Sequence, residues 1–162
     1  MPDKKVQHSP SGTYALTIAL TVKQEKYWQF SMAQVENVET GDIISVVHRN
    51  YPAFPFAWAE NHPDGHDYLV CGEDYQGQTV IQLDTGLRKD YLPQAAKKGV
   101  GFCWVDIDAD IESTPPTLCV EGCYWACPFE NVRYDFSNPL GLPYPELERW
   151  CDDEDDDWEE DE

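Results

Sequence analysis

The sequence has few basic residues and no long apolar run, and both absences exclude classes of function. The 162 residues include 11 Lys and Arg against 31 Asp and Glu, a formal net charge of −20. Nucleic-acid binding relies on Lys and Arg that release counterions from phosphates, so we expect no nucleic-acid partner. No window has the length and apolar character of a membrane span or a signal peptide. We therefore predict a cytoplasmic protein without a membrane partner.

The sequence also lacks the common catalytic motifs. It contains no Gly-x-Ser-x-Gly turn for a nucleophilic serine, no Gly-x4-Gly-Lys loop for phosphate and no His-Glu-x2-His pair for zinc. We therefore predict no cofactor and favour a noncatalytic role.

Six cysteines raise the question of disulfides or a metal site, since Cys119, Cys123 and Cys127 recur every four residues. Gly122, Tyr124 and the neighbouring residues favour extended or turning chain, in which residues four apart stand about 13 Å from one another. That distance is too long for one shared ion. Without an export signal, reduced and mostly buried core thiols are the better interpretation, and no metal is predicted.

The richest signal is a segment of β-strand pattern that the chain repeats. The residues from Val35 to Gly41 are echoed from Val80 to Gly86 and more loosely from Val132 to Asn138. A β-rich segment precedes each copy and opens on a turn: Ser9-Pro10-Ser11-Gly12, His62-Pro63-Asp64-Gly65 and Thr114-Pro115-Pro116. Because a single unit of this size cannot bury its own apolar face, repeated units stack on one another. The pattern predicts three antiparallel β units and one short helical turn in residues 91–98.

The turns Ser9-Pro10-Ser11-Gly12 and His62-Pro63-Asp64-Gly65, and the closing Leu83-Asp84-Thr85-Gly86, resemble the WD40-like repeats of the β-propeller superfamily. The resemblance covers roughly residues 9–140, although the Trp-Asp dipeptide that names the repeat is absent. It implies three blade-like units of about four short strands, whereas closed propellers have four to eight blades. We expect an all-β fold that is an open or dimer-completed propeller, with an antiparallel β-sandwich as the alternative.

The ends of the chain differ from its middle in composition. We divide the sequence into an N-terminal lead of residues 1–8, one repeat domain of residues 9–145 and an acidic tail of residues 146–162. Ten of the eleven residues from 152 to 162 are Asp or Glu. A like-charge run of that density repels itself, so the tail is expected to be disordered.

Aromatic residues at corresponding places in the units suggest a binding surface. The predicted binding residues are Glu73, Asp74, Tyr75, Tyr124 and Trp125. The acidic body and tail favour a basic protein partner, which they would attract by electrostatic steering. Open sheet edges also favour pairing between copies, so we expect a homo-oligomer. The resulting hypothesis is a noncatalytic protein-interaction module of propeller-like type.

A second hypothesis from another class is a small metal-assisted, hydrolase-like enzyme. Its site would lie around His62, Asp64, His66, Glu73 and Cys123, because imidazoles and carboxylates close in sequence can act as general acids and bases. We favour the structural interpretation, in which such His and Asp side chains bond backbone groups in turns.

Overall fold

The computed structural model describes residues 4–21, 29–72, 77–98, 101–124 and 128–151. Within these ranges the chain forms twelve strands and one turn of helix, α1 (Gln94–Lys97). The strands form three antiparallel four-stranded sheets, and each sheet is made of four consecutive strands. The predicted all-β class with three blade-like units is confirmed, and α1 lies within the helical turn predicted for residues 91–98.

We call the three sheets units 1, 2 and 3. Unit 1 contains β1 (Lys4–His8), β2 (Tyr14–Leu20), β3 (Ser31–Asn37) and β4 (Ile43–Arg49). Unit 2 contains β5 (Phe56–Ala59), β6 (Tyr68–Cys71), β7 (Gln78–Gln82) and β8 (Arg88–Tyr91). Unit 3 contains β9 (Cys103–Asp110), β10 (Thr117–Cys123), β11 (Glu130–Asp135) and β12 (Glu146–Cys151).

Two strands lie outside the residues 9–145 predicted as the repeat domain. β1 falls within the predicted N-terminal lead, and β12 falls at the start of the predicted tail. Both are exposed strands at the edges of their sheets. The residues from 152 onward lie outside the described part of the chain. None of the helical structure in the described residues is long and apolar enough to cross a bilayer.

The three units are equivalent in their hydrogen bonds as well as in their strand order. In each unit, the residue after the third strand donates its backbone N–H to the carbonyl of the residue before the second strand. The three bonds, of 2.7–2.9 Å, are Val38 to Thr13, Leu83 to Asp67 and Phe136 to Pro116. The sequence repeat therefore corresponds to three copies of one local structure.

The closing turns of units 1 and 2 show why glycine recurs there. Gly41 and Gly86 each donate an N–H at 2.8 Å to the carbonyl four residues earlier. Their φ angles are +73° and +80°, a left-handed conformation that side-chain-bearing residues rarely adopt. The glycine of each Thr-Gly pair is thus required by the turn geometry.

The alignment of the third copy is wrong by one residue. Register pairs Asn37 with Tyr14 in unit 1, and it pairs Asp135 with Thr117 in unit 3. Val35 lies two residues before Asn37, and Arg133 lies two residues before Asp135, so Arg133 is the equivalent of Val35. The sequence comparison had matched Val132 to Val35. A slip of one residue moves every side chain of a strand to the opposite face of the sheet.

Unit 2 is the centre of the stack and is buried on both faces. Its side chains Tyr68, Val70 and Val80 belong to the core shared with unit 3. The alternating side chains Leu69 and Cys71 belong to a second core shared with unit 1. All described residues of β6 and β7 are buried. The fold is therefore a stack of three sheets, and the two-sheet sandwich offered as an alternative does not describe it.

A matched pair of leucine substitutions in unit 2 tests this burial. Leu69 is 0% exposed and Leu87 is 56% exposed. We expect Leu69→Ala to lower the free energy of unfolding by about 2 to 5 kcal/mol, because it leaves a cavity between units 1 and 2. Leu87→Ala should change it by less than about 0.5 kcal/mol. Urea denaturation followed by tryptophan fluorescence measures both, and equal effects would contradict the stacked arrangement.

Candidate functional site

The opening turns of units 1 and 2 are joined by buried polar groups. Glu60 is buried and accepts hydrogen bonds from the Ser11 backbone N–H at 3.0 Å and from Ser11 Oγ at 2.8 Å. Tyr14 donates its hydroxyl to Asp67 Oδ2 at 2.9 Å. We call this end of the stack the turn end. The opposite end, where the second strand of each unit ends at Leu20, Cys71 or Cys123, is called the loop end. These bonds hold unit 1 against unit 2 at the turn end.

His62 joins unit 2 to unit 3 at the same end. Its Nε2 lies 2.7 Å from the Phe136 carbonyl oxygen, and its Nδ1 accepts the Asp64 backbone N–H at 3.1 Å. Because a backbone N–H must donate, Nδ1 is the acceptor and the proton lies on Nε2. The buried ring also meets the Tyr68 and Phe136 rings edge-on. Both nitrogens of His62 are used in the fold, so His62 has no free group for acid–base chemistry.

His66 forms a more exposed ion pair with Asp84. The distance from His66 Nδ1 to Asp84 Oδ2 is 2.6 Å, and both side chains are more than a third exposed. The hydrogen bond to Asp84 raises the pKa of His66. Partial burial opposes ionisation of Asp84, yet the hydrogen bonds from His66 and from the Asp67 backbone hold the Asp84 pKa below its usual value. The pair fastens the opening turn of unit 2 to its closing turn.

The enzyme site proposed from the sequence is not assembled in the described structure. His62 contacts the Phe136 carbonyl oxygen, and the Phe136 N–H bonds to the Pro116 carbonyl, so His62 lies at the end of β10 that starts with Thr117. Cys123 is at the other end of β10, six residues and about 20 Å from Thr117. Glu73 lies outside the described residues. Among the residues that are described, no group of three or more His, Cys, Asp or Glu side chains could hold a metal ion. The structure therefore does not support the hydrolase-like alternative.

The cysteines are buried to different degrees. Cys71 and Cys103 are buried, Cys119 and Cys123 are partly buried, and Cys151 is exposed. Cys127 lies outside the described residues. Burial raises the pKa of Cys71 to about 12, so its thiol is unreactive in the folded protein. The prediction of buried thiols is correct for Cys71 and Cys103 but not for Cys151.

The loop end of unit 3 carries a cluster of Phe102, Tyr124 and Arg149, which we call the aromatic–arginine cluster. The guanidinium carbon of Arg149 lies 4.8 Å from the Phe102 ring centroid and 5.8 Å from the Tyr124 centroid. The two ring centroids are 5.2 Å apart. These distances are those of cation–π contacts, which add to the packing of the rings.

Two carboxylates hold Arg149 in place over these rings. Glu146 accepts a hydrogen bond from Arg149 Nε at 2.7 Å, and Glu130 accepts one from its Nη1 at 2.5 Å. The bond to Glu146 is the largest cause of a raised Arg149 pKa. Since Glu146 and Arg149 are on β12 and Glu130 is on β11, the geometry of unit 3 positions the cluster.

The cluster leaves aromatic surface exposed. Tyr124 is 36% exposed, and Phe129, which directly precedes β11, is 51% exposed. Phe102 also lines a cavity of about 150 Å³ between units 2 and 3. The other aromatic residues lining that cavity are Tyr91, Trp104, Tyr134 and Tyr144. An incoming side chain would therefore meet aromatic faces both on the surface and in the adjacent cavity.

Of the predicted binding residues, the structure describes Tyr124. Glu73, Asp74, Tyr75 and Trp125 lie outside the described residues. Phe102 and Arg149 were not predicted, because they are 22 and 25 residues from Tyr124 in the sequence and meet it through sheet pairing. The signal that was available is Arg149 itself, a basic residue in a C-terminal stretch of acids.

Comparison with known proteins gives one viral relative. The chain is 32% identical over 139 residues to an uncharacterised protein of Acanthamoeba polyphaga mimivirus, and the aligned segment covers 86% of this chain and 53% of that protein. The chain thus spans about half the length of the relative. No family model matches the chain, and no solved structure matches it.

The His66–Asp84 pair predicts a pH-dependent contribution to stability. A His whose pKa is raised by folding stabilises the fold below its usual value of about 6.5, and this contribution is lost as the pH rises through the raised value. An Asp whose pKa is lowered contributes above about pH 4 and loses that contribution at lower pH. His66 and Asp84 therefore both stabilise the fold between about pH 4 and 6.5.

We therefore expect His66→Gln to lower the melting temperature more at about pH 5.5 than at about pH 8.5. Because the pair is more than a third exposed, solvent screening keeps the difference small. Thermal denaturation of the wild type and the variant at both pH values measures it. A larger loss at the higher pH would contradict the ion pair.

Proposed function

We propose that the chain is a noncatalytic protein-interaction module of propeller-like type that binds through the loop end of unit 3. The observation that supports this most directly is the exposed ring of Tyr124 beside the Arg149 guanidinium, together with the exposed Phe129 directly before β11. Tyr, Trp and Arg supply most of the binding energy at protein interfaces. Because Glu130 and Glu146 hold Arg149 in place, its side chain loses little conformational freedom on binding, which favours affinity.

The turn end does not compete for this role. His62, Glu60 and Asp67 lie there, and each bonds a group of the protein itself. Side chains that are already paired offer a partner little new bonding. The loop end of unit 3, with Tyr124 and Phe129 exposed, is therefore the better binding surface among the described residues.

The partner we propose is a protein segment that carries basic and apolar side chains. The protein has a net charge of −20, and the one guanidinium of the cluster is neutralised by Glu130 and Glu146. Such a surface attracts a cationic segment over a distance and then contacts its apolar groups with the aromatic rings. We place this interaction in the cytoplasm, because Cys71 and Cys119 remain thiols.

Peptide binding tests this proposal. The probes are a fluorescein-labelled amphipathic peptide of Lys and Leu and its counterpart with Glu in place of Lys, measured by fluorescence anisotropy with the full chain. We expect the basic peptide to bind, and we expect the double variant Tyr124→Ala, Phe129→Ala to weaken binding about tenfold or more. Leu87→Ala removes a comparably exposed apolar side chain of unit 2 and should leave binding unchanged.

The variants also distinguish peptide binding by the cluster from peptide binding by the acidic tail, because the tail retains its charge in all of them. If the double variant and Leu87→Ala bind the basic peptide as well as the wild type does, the binding is by charge alone and the proposed site is wrong. Equal binding of the acidic peptide would contradict the basic character of the partner.

A further inference from the structure

The three units pack by one repeated step. We call the face of each sheet that is directed toward the following unit its forward face, and the opposite face its back face. Tyr68, Val70 and Val80 form the forward face of unit 2 against unit 3, while Leu69 and Cys71 form its back face against unit 1. Tyr14, Leu16 and Val35 similarly form the forward face of unit 1. The stack therefore ends in two sheet faces that no described unit covers: the back face of unit 1 and the forward face of unit 3.

We infer that these two faces bind each other between two copies of the chain. The back face of unit 1 in each copy would pack on the forward face of unit 3 in the other, so that two three-sheet stacks close into one ring of six sheets. This inference rests on the propeller-like part of the proposed function. A ring of six lies within the four to eight blades of closed propellers, whereas a ring of three does not.

The forward face of unit 3 is charged where that of unit 2 is apolar. Cross-strand register makes Asp108 the equivalent of Ala57 and Cys119 the equivalent of Val70. Four of its charged side chains already have partners. Asp110 and Asp135 bond backbone N–H groups of neighbouring turns, and Glu148 pairs with Arg133 at 2.8 Å.

The carboxylates of this face that the structure leaves for a partner are Asp106, Asp108 and Glu121. Asp106 and Glu121 are cross-strand neighbours, and Asp108 faces Cys119 on the same pair of strands. No ion pair within the described residues involves any of the three. A covering surface must therefore supply basic groups.

The back face of unit 1 has the composition that this requires. Alternation along β1 to β4, with Tyr14, Leu16 and Val35 in the core, places Lys4, His8 and His48 on the back face, together with Gln34 and one acidic side chain, Glu36. Between them lie small or apolar residues, namely Val6, Ala15, Thr17, Ala19 and Met32. Lys4 and His48 lie at the loop end of their face, as Asp106 and Glu121 do on theirs. Lys4 is thus placed to pair with the carboxylates at the loop end of the forward face of unit 3, whereas Glu36 lies at the turn end of the back face of unit 1.

The size of the contact favours a closed pair over a single contact. A face of four strands and seven residues measures about 19 Å by 24 Å, or about 450 Å² for each partner. One such contact buries about 900 Å² in total, which is less than a stable interface needs, whereas two contacts bury about 1,800 Å². Since a head-to-tail pair forms both contacts at once, closure doubles the interface. The mimivirus relative is also about twice as long as the aligned segment, which leaves room for further units in one chain.

Sedimentation velocity of the full chain and a charge swap test this inference. The wild type should sediment as a dimer whose dissociation increases with salt, since exposed ion pairs are screened. Lys4→Glu and Glu121→Lys should each weaken the dimer about tenfold or more, and the double variant Lys4→Glu, Glu121→Lys should recover part of that loss. Lys97→Glu makes the same charge change on α1, away from both faces, and should have no effect. Because these residues are on the surface, circular dichroism should show a native fold for all the variants.

Other outcomes would overturn the ring. A monomer at every protein concentration, or a dimer that Lys4→Glu leaves unchanged, rules out the contact. A dimer weakened by Lys4→Glu but not by Glu121→Lys would instead join two copies of unit 1 back to back. Binding of the basic peptide to the Lys4→Glu variant tests the proposed binding site separately from the ring, because Lys4 is not part of the aromatic–arginine cluster. Retained peptide binding with lost association would sustain the proposed site and reject only the ring.

Discussion

Burial of the unit 2 sheet on both faces is the constraint on which the rest of the structure depends. Leu69, Val70, Val80 and Ile81 are fully buried, and burying each such side chain contributes about 1.5 to 3 kcal/mol before the entropy cost. Unit 1 covers Leu69 and Ile81, and unit 3 covers Val70 and Val80. Neither neighbour can therefore be removed without exposing apolar surface. A small sheet with a single covered face gains much less from folding.

The polar bonds of the turn end complement this apolar core. Apolar stacking is not directional, whereas the bonds of Glu60 to Ser11 and of His62 to the Phe136 carbonyl require one relative placement of the sheets. Burying such groups is unfavourable unless they are paired, and here the pairs cross from one unit to the next. The polar groups thereby determine the register between sheets. The loop end of unit 3 instead retains exposed aromatic surface, which is why we assign binding to it.

Unit 3 keeps the strand pairing of unit 2 but differs from it on its forward face. Its back-face residues Leu118 and Val120 continue the core, while Cys119 and Arg133 occupy the positions that valines hold in unit 2. The same face carries Asp106, Asp108 and Glu121, and unpaired carboxylates are unfavourable against an apolar covering surface.

Local patterns along the chain were enough to establish the class of fold and the number of units. Alternating β-rich segments, and turn residues such as Gly41 and Gly86 with their left-handed φ angles, act over a few residues, so they can be recognised without a structure. The register of the third unit could not be recognised in this way, since matching Val132 to Val35 by identity ignores the strand pairing that makes Arg133 the equivalent residue. The bonds of His62 and the contact of Arg149 with Phe102 and Tyr124 could not be recognised from the sequence either, because each joins groups that are far apart in the chain. Such contacts exist only after the sheets have paired and stacked. For that reason the three-dimensional arrangement determined which faces are covered and which aromatic side chains stay exposed.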